Sequence, residues 1–377
     1  MARRLALFFV AALACSPCRA QTFHLSACWE SASDRFAVFR DPCEGEGAGG
    51  KDGRTTRLHS ADEAAVADFA TDAEGTNGAA FDAVSSSPGS PKADTWWVSR
   101  SRFFDGRTIA LTSGFLIYTG MHGYSTWWKD SLRFPYHVKN EGWFGRHSYT
   151  GGADHASHFV GSFIASQVLS KTYQLLGKRP APSQRAGAVV AALGGLIIEI
   201  GDGYSVFGFS WSDIVMNTLG ATAGMELSRS GLDDTLGFRI GWVPYDLPQL
   251  SERGPGTGAD YSEEIYTTDL KLAGLFRRLD RNPGPARFLM VSLTYGTKGY
   301  RFHDPAVRER NVGIDVGLNL PEILRAIGVR EDKWWGRPIL EYLNYVRVGY
   351  TAVGFRYDLN HGRWNGPDTG EGFDPRP

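Results

Sequence analysis

One stretch of the chain, residues 154–229, places its unusual polar residues at the ends of its most apolar segments. It opens with Asp154-His155-Ala156-Ser157-His158, and a long apolar run follows. The next apolar runs are bounded by Glu199-Ile200-Gly201-Asp202-Gly203 and by Phe209-Ser210-Trp211-Ser212-Asp213, with Asn217 one turn later. Buried carboxylates and imidazoles are costly unless they share partners. The apolar segments must therefore pack so that these polar groups find one another.

These apolar segments have the length and terminal residues of helices. Small residues recur on them at four-residue spacing, as in Gly220-x-x-x-Gly224, and such spacing lets helix backbones approach closely. If the helices pack on these small-residue faces, we expect five side chains to converge at one end of the bundle: His158, Glu199, Asp202, Asp213 and Asn217. The four predicted helices are Thr108–Tyr124, Asp154–Leu176, Ser183–Ile200 and Ser210–Ser228.

From Leu232 onwards the pattern changes to alternation of apolar with small or polar residues. Arg287–Tyr295, Asn311–Asn319 and Tyr345–Tyr357 are predicted strands, and Leu320–Ile327 is a short helix. The predicted fold class is therefore α+β. It is a compact bundle of about four short apolar helices followed by a small antiparallel β-sheet, with a disordered-leaning N-terminal extension.

The N-terminus has the features of an export signal, because basic residues precede the apolar segment Leu5–Ala14. Two processing routes remain open. Small residues permit cleavage after Ala20, which we favour, whereas a degenerate lipobox would leave a lipid anchor on Cys15. Either route exports the protein to the periplasm or cell envelope, where it could associate with the outer membrane. The predicted domains are 1–20 signal peptide, 21–95 extension and linker, 96–231 helical core and 232–377 β-rich part.

The extension carries Cys28 and Cys43, which an oxidising compartment allows to form a disulfide. A loop of this length would contribute roughly 3 kcal/mol to stability. The residues that follow are rich in Gly, Ala and Ser, which favours a linker.

Charge and hydropathy exclude some classes of function. The formal net charge is -1, so no bulk electrostatic attraction to nucleic acid is indicated. The most apolar internal run, Ala186–Ile198, is shorter than the roughly 20 residues that a membrane-spanning helix needs. We therefore predict no transmembrane helix after the signal peptide.

The spacing of the polar residues resembles the YfiM-like family of predicted periplasmic lipoproteins, a domain of unknown function. It is more distantly similar to the VanZ-like membrane family. The resemblance implies an envelope protein with a helical core and carries no established activity. One departure is His155, where such proteins commonly have Lys. The resemblance extends over residues 105–360, and the positions that carry it are Asp154, His158, Glu199, Asp202, Gly203, Ser205, Gly208, Phe209, Ser210, Trp211, Asp213, Asn217 and Gly220.

Each candidate site residue has a functional and a structural interpretation. His158, Asp202 and Asp213 could bind a divalent metal, or Glu199 or Asp202 could act as a general base with His158 as partner. Alternatively, Asp154 caps its helix, Ser210 and Asp213 form a capping box, and Asp202-Gly203 forms a turn. His158 and Asn217 then only link helices by hydrogen bonds. His155 follows Asp154 directly, so we expect it to point elsewhere.

Two classes of function follow. In the first, the protein has no catalytic role and binds an envelope lipid or a protein partner through its helical core. In the second, it is a metal-assisted or acid/base hydrolase acting on a lipid or cell-wall component. We favour the first class because no complete catalytic motif is present: the sequence lacks Gly-x-Ser-x-Gly, a dinucleotide-binding fingerprint and a phosphate loop.

Overall fold

The computed structural model describes residues 103–129, 131–132, 134–242, 261, 264–300 and 308–368. The export signal with Cys15 and Ala20, the Cys28–Cys43 pair and the 21–95 extension lie outside these residues. Those features stay predictions.

Four helices form the first layer, as the sequence predicts. They are α1 (Gly106–Gly123), α2 (Ala153–Leu175), α3 (Pro180–Gly203) and α4 (Trp211–Ser230), and a π-helical turn, Tyr124–Trp128, continues α1. The termini follow from local chemistry. The Asp105 carboxylate caps α1 by accepting the backbone N–H of Thr108 at 3.0 Å. At the end of the last helix of this layer, Gly231 adopts φ 64°, the left-handed conformation that closes α4.

Glycines set the spacing of α2 against its neighbours. On α4, a methyl group at Gly220 would overlap the carbonyl oxygen of Phe159, and Gly224 lies against Ser166. On α3, Gly187 lies against the backbone of Ser166 and Ser170. These contacts confirm that small residues let the helices approach closely.

Helices α1 and α3 run side by side in the same direction. Lys178, just before α3, pairs with Asp105 at 2.8 Å at the start of α1. Further along, Gly120 lies beside Ile197, and the Trp128 ring that follows α1 packs on Gly201 near the end of α3. The two helices therefore present one common outer face.

The structure corrects the predicted length of α3. The helix has 24 residues, because Pro180 is tolerated in its first turn and the chain stays helical through Gly203. By length and composition it could cross a membrane, and within the described residues it alone passes that test. Of its most apolar window, 44% is buried inside the protein, so it also serves as a core helix.

The second layer is a seven-stranded sheet in the order β5-β1-β2-β3-β4-β6-β7. All neighbouring pairs are antiparallel except β1 and β5, so the sheet is mixed and larger than the small antiparallel sheet predicted. Within the described residues, three short α-helices lie in the connections. The strands are β1 (Leu236–Trp242), β2 (Glu264–Lys271), β3 (Leu289–Lys298), β4 (Glu309–Leu318), β5 (Val346–Arg347), β6 (Ala352–Asp358) and β7 (Arg363–Asp368), and the helices are α5 (Leu272–Arg278), α6 (Leu320–Ala326) and α7 (Gly336–Tyr342).

Helix α2 joins the layers. The ring of Phe238 on β1 packs edge-on against Phe159 and Phe163 at centroid distances of 4.9 and 5.0 Å. Ile240 and Tyr266 belong to the same buried cluster as Ala153, Ala156 and Val160 of α2. The side chains of α2 that do not face the sheet are therefore held between α3 and α4.

Candidate functional site

His158 of α2 lies at the centre of a group of carboxylates at one end of the bundle. Its Nε2 is 3.5 Å from Asp154 Oδ1, 3.5 Å from Glu199 Oε1 and 4.0 Å from Asp213 Oδ2. These residues come from α2, α3 and α4, so three helices supply one cluster, which we call the acidic cluster. The predicted convergence of His158, Glu199 and Asp213 is present in the structure.

The link between α3 and α4 fixes the direction of two of these carboxylates. The backbone N–H of Ser210 donates to Glu199 Oε2 at 3.1 Å, and Ser210 Oγ accepts the backbone N–H of Asp213 at 3.4 Å. This is half of the predicted capping box. The missing half would have turned the Asp213 carboxylate towards the Ser210 N–H, but Glu199 occupies that donor, and Asp213 faces the two histidines instead.

The loop before Ser210 depends on one glycine. Gly208 adopts φ 80°, a conformation that L side chains rarely adopt. Its N–H donates to the carbonyl of Asp202 at 2.9 Å, and Phe209 next to it exchanges backbone hydrogen bonds with the segment at His137 and Lys139. The Gly-Phe-Ser sequence therefore positions the Ser210 N–H for Glu199.

Asn217 lies on the other side of the His158 ring. Its Oδ1 is 3.2 Å from His158 Nδ1 and accepts the Ser162 hydroxyl at 2.7 Å. Gly195 of α3 leaves room for this amide, because a methyl group there would come within 2.6 Å of Asn217 Nδ2. The amide oxygen therefore orients the imidazole ring through Nδ1, whereas the carboxylates lie near Nε2.

Asp202 is held by a separate set of contacts. Its Oδ1 accepts the indole N–H groups of Trp127 at 3.0 Å and Trp128 at 2.7 Å. Both tryptophans belong to the π-helical turn, a distortion that often marks functional sites. Asp202 is thus a neighbour of the acidic cluster with its own partners, and sequence reasoning did not assign a role to the two tryptophans.

Sequence reasoning also missed members of the site. Asp154 lies within the first turn of α2, whose N-cap is Gly152, so the prediction that it caps the helix is wrong. Its Oδ1 accepts the hydroxyl of Tyr261, a residue distant in sequence. His155 was expected to point elsewhere, but it is buried with Nε2 3.8 Å from Asp213 Oδ1. The Asp-His-x-x-His pattern could have shown this, because residues three apart at the start of one helix are neighbours on its surface.

Glu141, in the loop before α2, also lies at the cluster and had no assigned role. Burial and the negative charges of Asp154 and Asp213 raise the pKa of Glu141 to about 9. Lys139 lies 3.6 Å from it. Nothing in the spacing of the sequence could place this residue, because its loop has no regular period.

The pKa values of the carboxylates at this site reflect the concentration of negative charge. Burial raises the pKa of Glu199 to about 8, although the charge of His158 opposes it. Burial likewise raises the pKa of Asp202 to about 6, against the indole hydrogen bonds, and it raises the pKa of Asp213. For Asp154 the charge and hydrogen bond of His158, with the Tyr261 hydroxyl, outweigh burial and lower the pKa. One imidazole therefore does not neutralise the carboxylates that surround it.

Burial lowers the pKa of His158, but the charges of Asp213 and Asp154 outweigh burial and raise it well above the usual value. Without another cation, His158 is an imidazolium among carboxylates. With a metal ion on Nε2, the same carboxylates are ligands. The arrangement can thus hold a cation, or it can supply a protonated acid beside carboxylate bases.

Several atoms of the cluster have no hydrogen-bond partner. Within the described part of the chain, the buried unpartnered atoms here are Glu141 Oε2, both ring nitrogens of His155, Glu199 Oε1, Asp213 Oδ1 and Asn217 Nδ2. Buried polar atoms are normally paired, so their concentration in one place needs a physical reason. Asp154, His158 and Asp213 each offer a ligand atom, and these atoms lie within 4.8 Å of one another.

A second acid–histidine group, on the sheet, differs because its carboxylates already have a cationic partner. Glu309, Asp358 and His361 also lie within metal-binding distance of one another. Arg363, however, pairs with Glu309 at 2.6 Å and with Asp358 at 3.5 Å. A guanidinium already compensates these carboxylates, so the group resembles an ordinary ion-pair network.

Comparison with protein families identifies one match. Residues 140–228 match a family described as "Predicted periplasmic lipoprotein (DUF2279)". The match covers the loop before α2 and helices α2, α3 and α4, and therefore the acidic cluster. It does not cover the wider 105–360 range over which the sequence resemblance extends. No curated protein and no solved structure matches the chain.

The family description confirms the predicted location. The protein belongs to the periplasm or cell envelope. The matched family is described without an activity, so the chemistry of the site has to be argued from its own residues.

Proposed function

We propose that the protein is an exported envelope protein that binds lipid at a membrane surface through the common outer face of α1 and α3. We call this surface the α1–α3 face. It consists of Ile109, Ile117 and Met121 of α1 with Val189, Leu193, Leu196 and Ile200 of α3, all of which are exposed.

The observation that carries the proposal is the composition of exposed α3. After Arg185, every exposed position of this helix is apolar, beginning with Val189 at 58% exposure. The four residues recur at helical spacing, so they form one stripe. Continuous exposed apolar surface of this kind marks a contact with lipid or protein.

The length of the stripe favours contact with one leaflet over a membrane span. Val189 and Ile200 are about 17 Å apart along a helix that rises 1.5 Å per residue. This is close to half of the roughly 30 Å hydrocarbon core of a bilayer. Helix α3 has enough residues to cross a membrane, but its uncharged exposed stripe reaches across only one half of it.

Both ends of the face carry residue types of the membrane–water interface, which fits helices that lie in its plane. Exposed Arg107, Arg179 and Arg185 lie at the shared start of α1 and α3, where cations meet anionic headgroups. Exposed Tyr124 and Tyr204 lie at the opposite end. The resemblances to YfiM-like lipoproteins and to the VanZ-like membrane family favour the same interpretation and stay predictions.

The experiment measures binding of the unlipidated mature chain, beginning at Gln21, to sedimenting vesicles. We expect binding to vesicles that contain anionic phosphatidylglycerol and weaker binding to neutral phosphatidylcholine vesicles. The triple variant Val189→Gln, Leu193→Gln, Ile200→Gln should lower the partition coefficient at least about tenfold, because each exposed apolar side chain contributes of order 1 kcal/mol on burial.

A matched control substitutes apolar residues that are equally exposed but lie elsewhere. Leu279→Gln with Ile327→Gln changes side chains of 56% and 73% exposure outside the α1–α3 face. This variant should bind vesicles like the wild type. Failure of the wild type to bind any vesicle would overturn the proposal, and concentration-dependent dimers lost in the triple variant would instead assign the face to a protein partner.

The acidic cluster favours a second candidate, a hydrolase that acts on a lipid or cell-wall component. Glu199 or Asp202 would serve as general base with His158 as partner, or a bound metal would activate water. The supporting observation is the raised pKa of Glu199, about 8, which suits proton transfer near neutral pH. Hydrolysis of lipid esters that is lost in Glu199→Gln, while vesicle binding persists, would establish this candidate.

A further inference from the structure

We propose that Asp154, His158, Glu199 and Asp213 form a binding site for one divalent transition-metal ion between α2, α3 and α4. The proposal is independent of lipid binding, because none of these four residues belongs to the α1–α3 face.

The distances within the cluster fit a coordination sphere better than a set of hydrogen bonds. Charge-assisted hydrogen bonds between nitrogen and carboxylate are about 2.7–2.9 Å long, whereas the three carboxylate oxygens lie 3.5, 3.5 and 4.0 Å from His158 Nε2. Ligand atoms about 2.1 Å from a tetrahedral ion lie about 3.4 Å from one another. The ligand atoms of Asp154, His158 and Asp213 lie within 4.8 Å of one another, so a small ion among them needs only small side-chain movements, and Glu199 Oε1 lies 3.5 Å from the same Nε2.

The hydrogen bond behind the ring selects the tautomer that a metal requires. Asn217 Oδ1 is an acceptor, and it already accepts the Ser162 hydroxyl at 2.7 Å. His158 Nδ1, 3.2 Å from the same oxygen, must therefore carry a proton and donate it. In the neutral ring this leaves the Nε2 lone pair directed at the three carboxylates. Metal-binding histidines are generally oriented by such a second hydrogen bond.

Two unpartnered oxygens are an independent indication of a cation site. Glu199 Oε1 and Asp213 Oδ1 are buried without a hydrogen bond, in residues that are 1% and 2% exposed. Elsewhere in the described structure, deeply buried carboxylates have cationic partners: Asp269 pairs with Arg239, and Asp315 pairs with Arg347. No arginine or lysine side chain reaches Glu199 or Asp213 in a described ion pair, so a bound ion would fill that role.

The donor set indicates the class of ion. One imidazole and three carboxylates suit Zn²⁺ or Mn²⁺, whereas Ca²⁺ takes six to eight oxygen ligands and Cu⁺ prefers sulfur. Asn217 would act as a positioning residue through His158, and Ser210 would act similarly through its N–H on Glu199.

The test uses the mature chain without a histidine tag, treated with chelator and then titrated with Zn²⁺ and, separately, with Mn²⁺. Bound metal is measured by elemental analysis after gel filtration, and affinity by calorimetry. We expect one ion per chain at micromolar or lower dissociation constant for at least one of the two metals. Glu199→Gln and Asp213→Asn should each weaken binding at least about 100-fold, and Asn217→Ala about tenfold.

The sheet group supplies the matched control. Asp358→Asn alters the other acid–histidine group and should leave affinity for the ion unchanged. Circular dichroism checks that each variant is folded, and we expect Glu199→Gln to fold because the amide has the same shape and its oxygen can still accept the Ser210 N–H. Absence of metal uptake at about 100 µM ion, or equal uptake by folded Glu199→Gln and wild type, would overturn the proposal. A protein that binds vesicles but no metal would overturn this inference alone.

Discussion

At the scale of single residues, buried carboxylates in the two layers have opposite surroundings. Asp315 on β4 is fully buried between two guanidinium groups, with Arg347 at 2.7 Å and Arg356 at 3.2 Å. In the helical layer, Glu199 and Asp213 share His158 with Asp154, and Asp213 also faces His155, but neither carboxylate has a guanidinium partner in a described ion pair. Asp315 therefore stabilises the fold without a bound ion, whereas Glu199 and Asp213 are available to bind a cation.

Removal of the Asp315 charge should destabilise the fold. Asp315→Asn leaves two buried guanidinium groups short of their counter-ion, which typically costs about 3–5 kcal/mol. Urea denaturation followed by circular dichroism measures the free energy of unfolding. Asp332→Asn is the matched control, because its pair with Arg330 is exposed on both sides and should contribute under about 1 kcal/mol. A similar small loss in both variants would contradict this account of the sheet.

The sequence predicts single site residues only in part. Positions 154, 158, 199, 213 and 217 lie on helices, and helical spacing brings their side chains together in any close-packed bundle. Glu141 and Tyr261 reach the cluster from irregular segments, so no periodicity could reveal them. The role of Asp202 was also open, because a two-residue Asp-Gly turn does not show that two indole groups bind the carboxylate.

At the scale of secondary-structure elements, α2 organises the molecule through its contacts with α3, α4 and β1. The four helices were predictable because long apolar segments end at Gly, Pro or Ser. Strands β1 and β2 were not predicted. The reason is physical: Arg239 of β1 and Asp269 of β2 form a buried ion pair at 2.5 Å, which breaks the expected alternation of apolar and polar residues.

Close packing of α2 against α4 predicts opposite effects on stability when alanine replaces two glycines. Gly220→Ala should destabilise the protein by about 1–3 kcal/mol or more, because its methyl group would overlap the backbone oxygen of Phe159. Gly161→Ala places a methyl group where nothing lies within 4 Å, so it should stabilise α2 by about 0.5–1 kcal/mol. Thermal unfolding of both variants provides the comparison. Equal effects would show that helix propensity, and not close approach, decides both positions.

At the scale of the whole molecule, the usual distribution of apolar residues inside and charged residues outside is partly reversed. The sheet buries Arg239, Asp269, Asp315 and Arg356, while apolar side chains of β3, β4 and β6 such as Leu293, Ile314 and Phe355 are exposed. The α1–α3 face adds a second apolar surface on the helical layer. A protein of the periplasm or envelope works next to membranes, and such a surface fits that location better than it fits a protein surrounded by water alone.

The two proposals meet in one arrangement of the helical layer. Helices α1 and α3 present the apolar face outward, and α2, α3 and α4 enclose the acidic cluster. Because α3 contributes both Glu199 inward and Ile200 outward, an ion at the cluster would fix the helix that carries the lipid-facing stripe. The net charge of -1 does not indicate the acidic cluster, because positive and negative residues balance over the whole chain. The carboxylates are concentrated in one part of the fold.

X-ray absorption spectroscopy of the zinc-loaded mature chain tests whether the acidic cluster is the site that binds the ion. The spectrum reports the nature and distance of the atoms bound to the ion. We expect only nitrogen and oxygen ligands at about 2.0–2.2 Å, with the outer-shell signal of one imidazole, and no sulfur. A zinc–sulfur distance of about 2.3 Å would place the ion on cysteines and contradict the account.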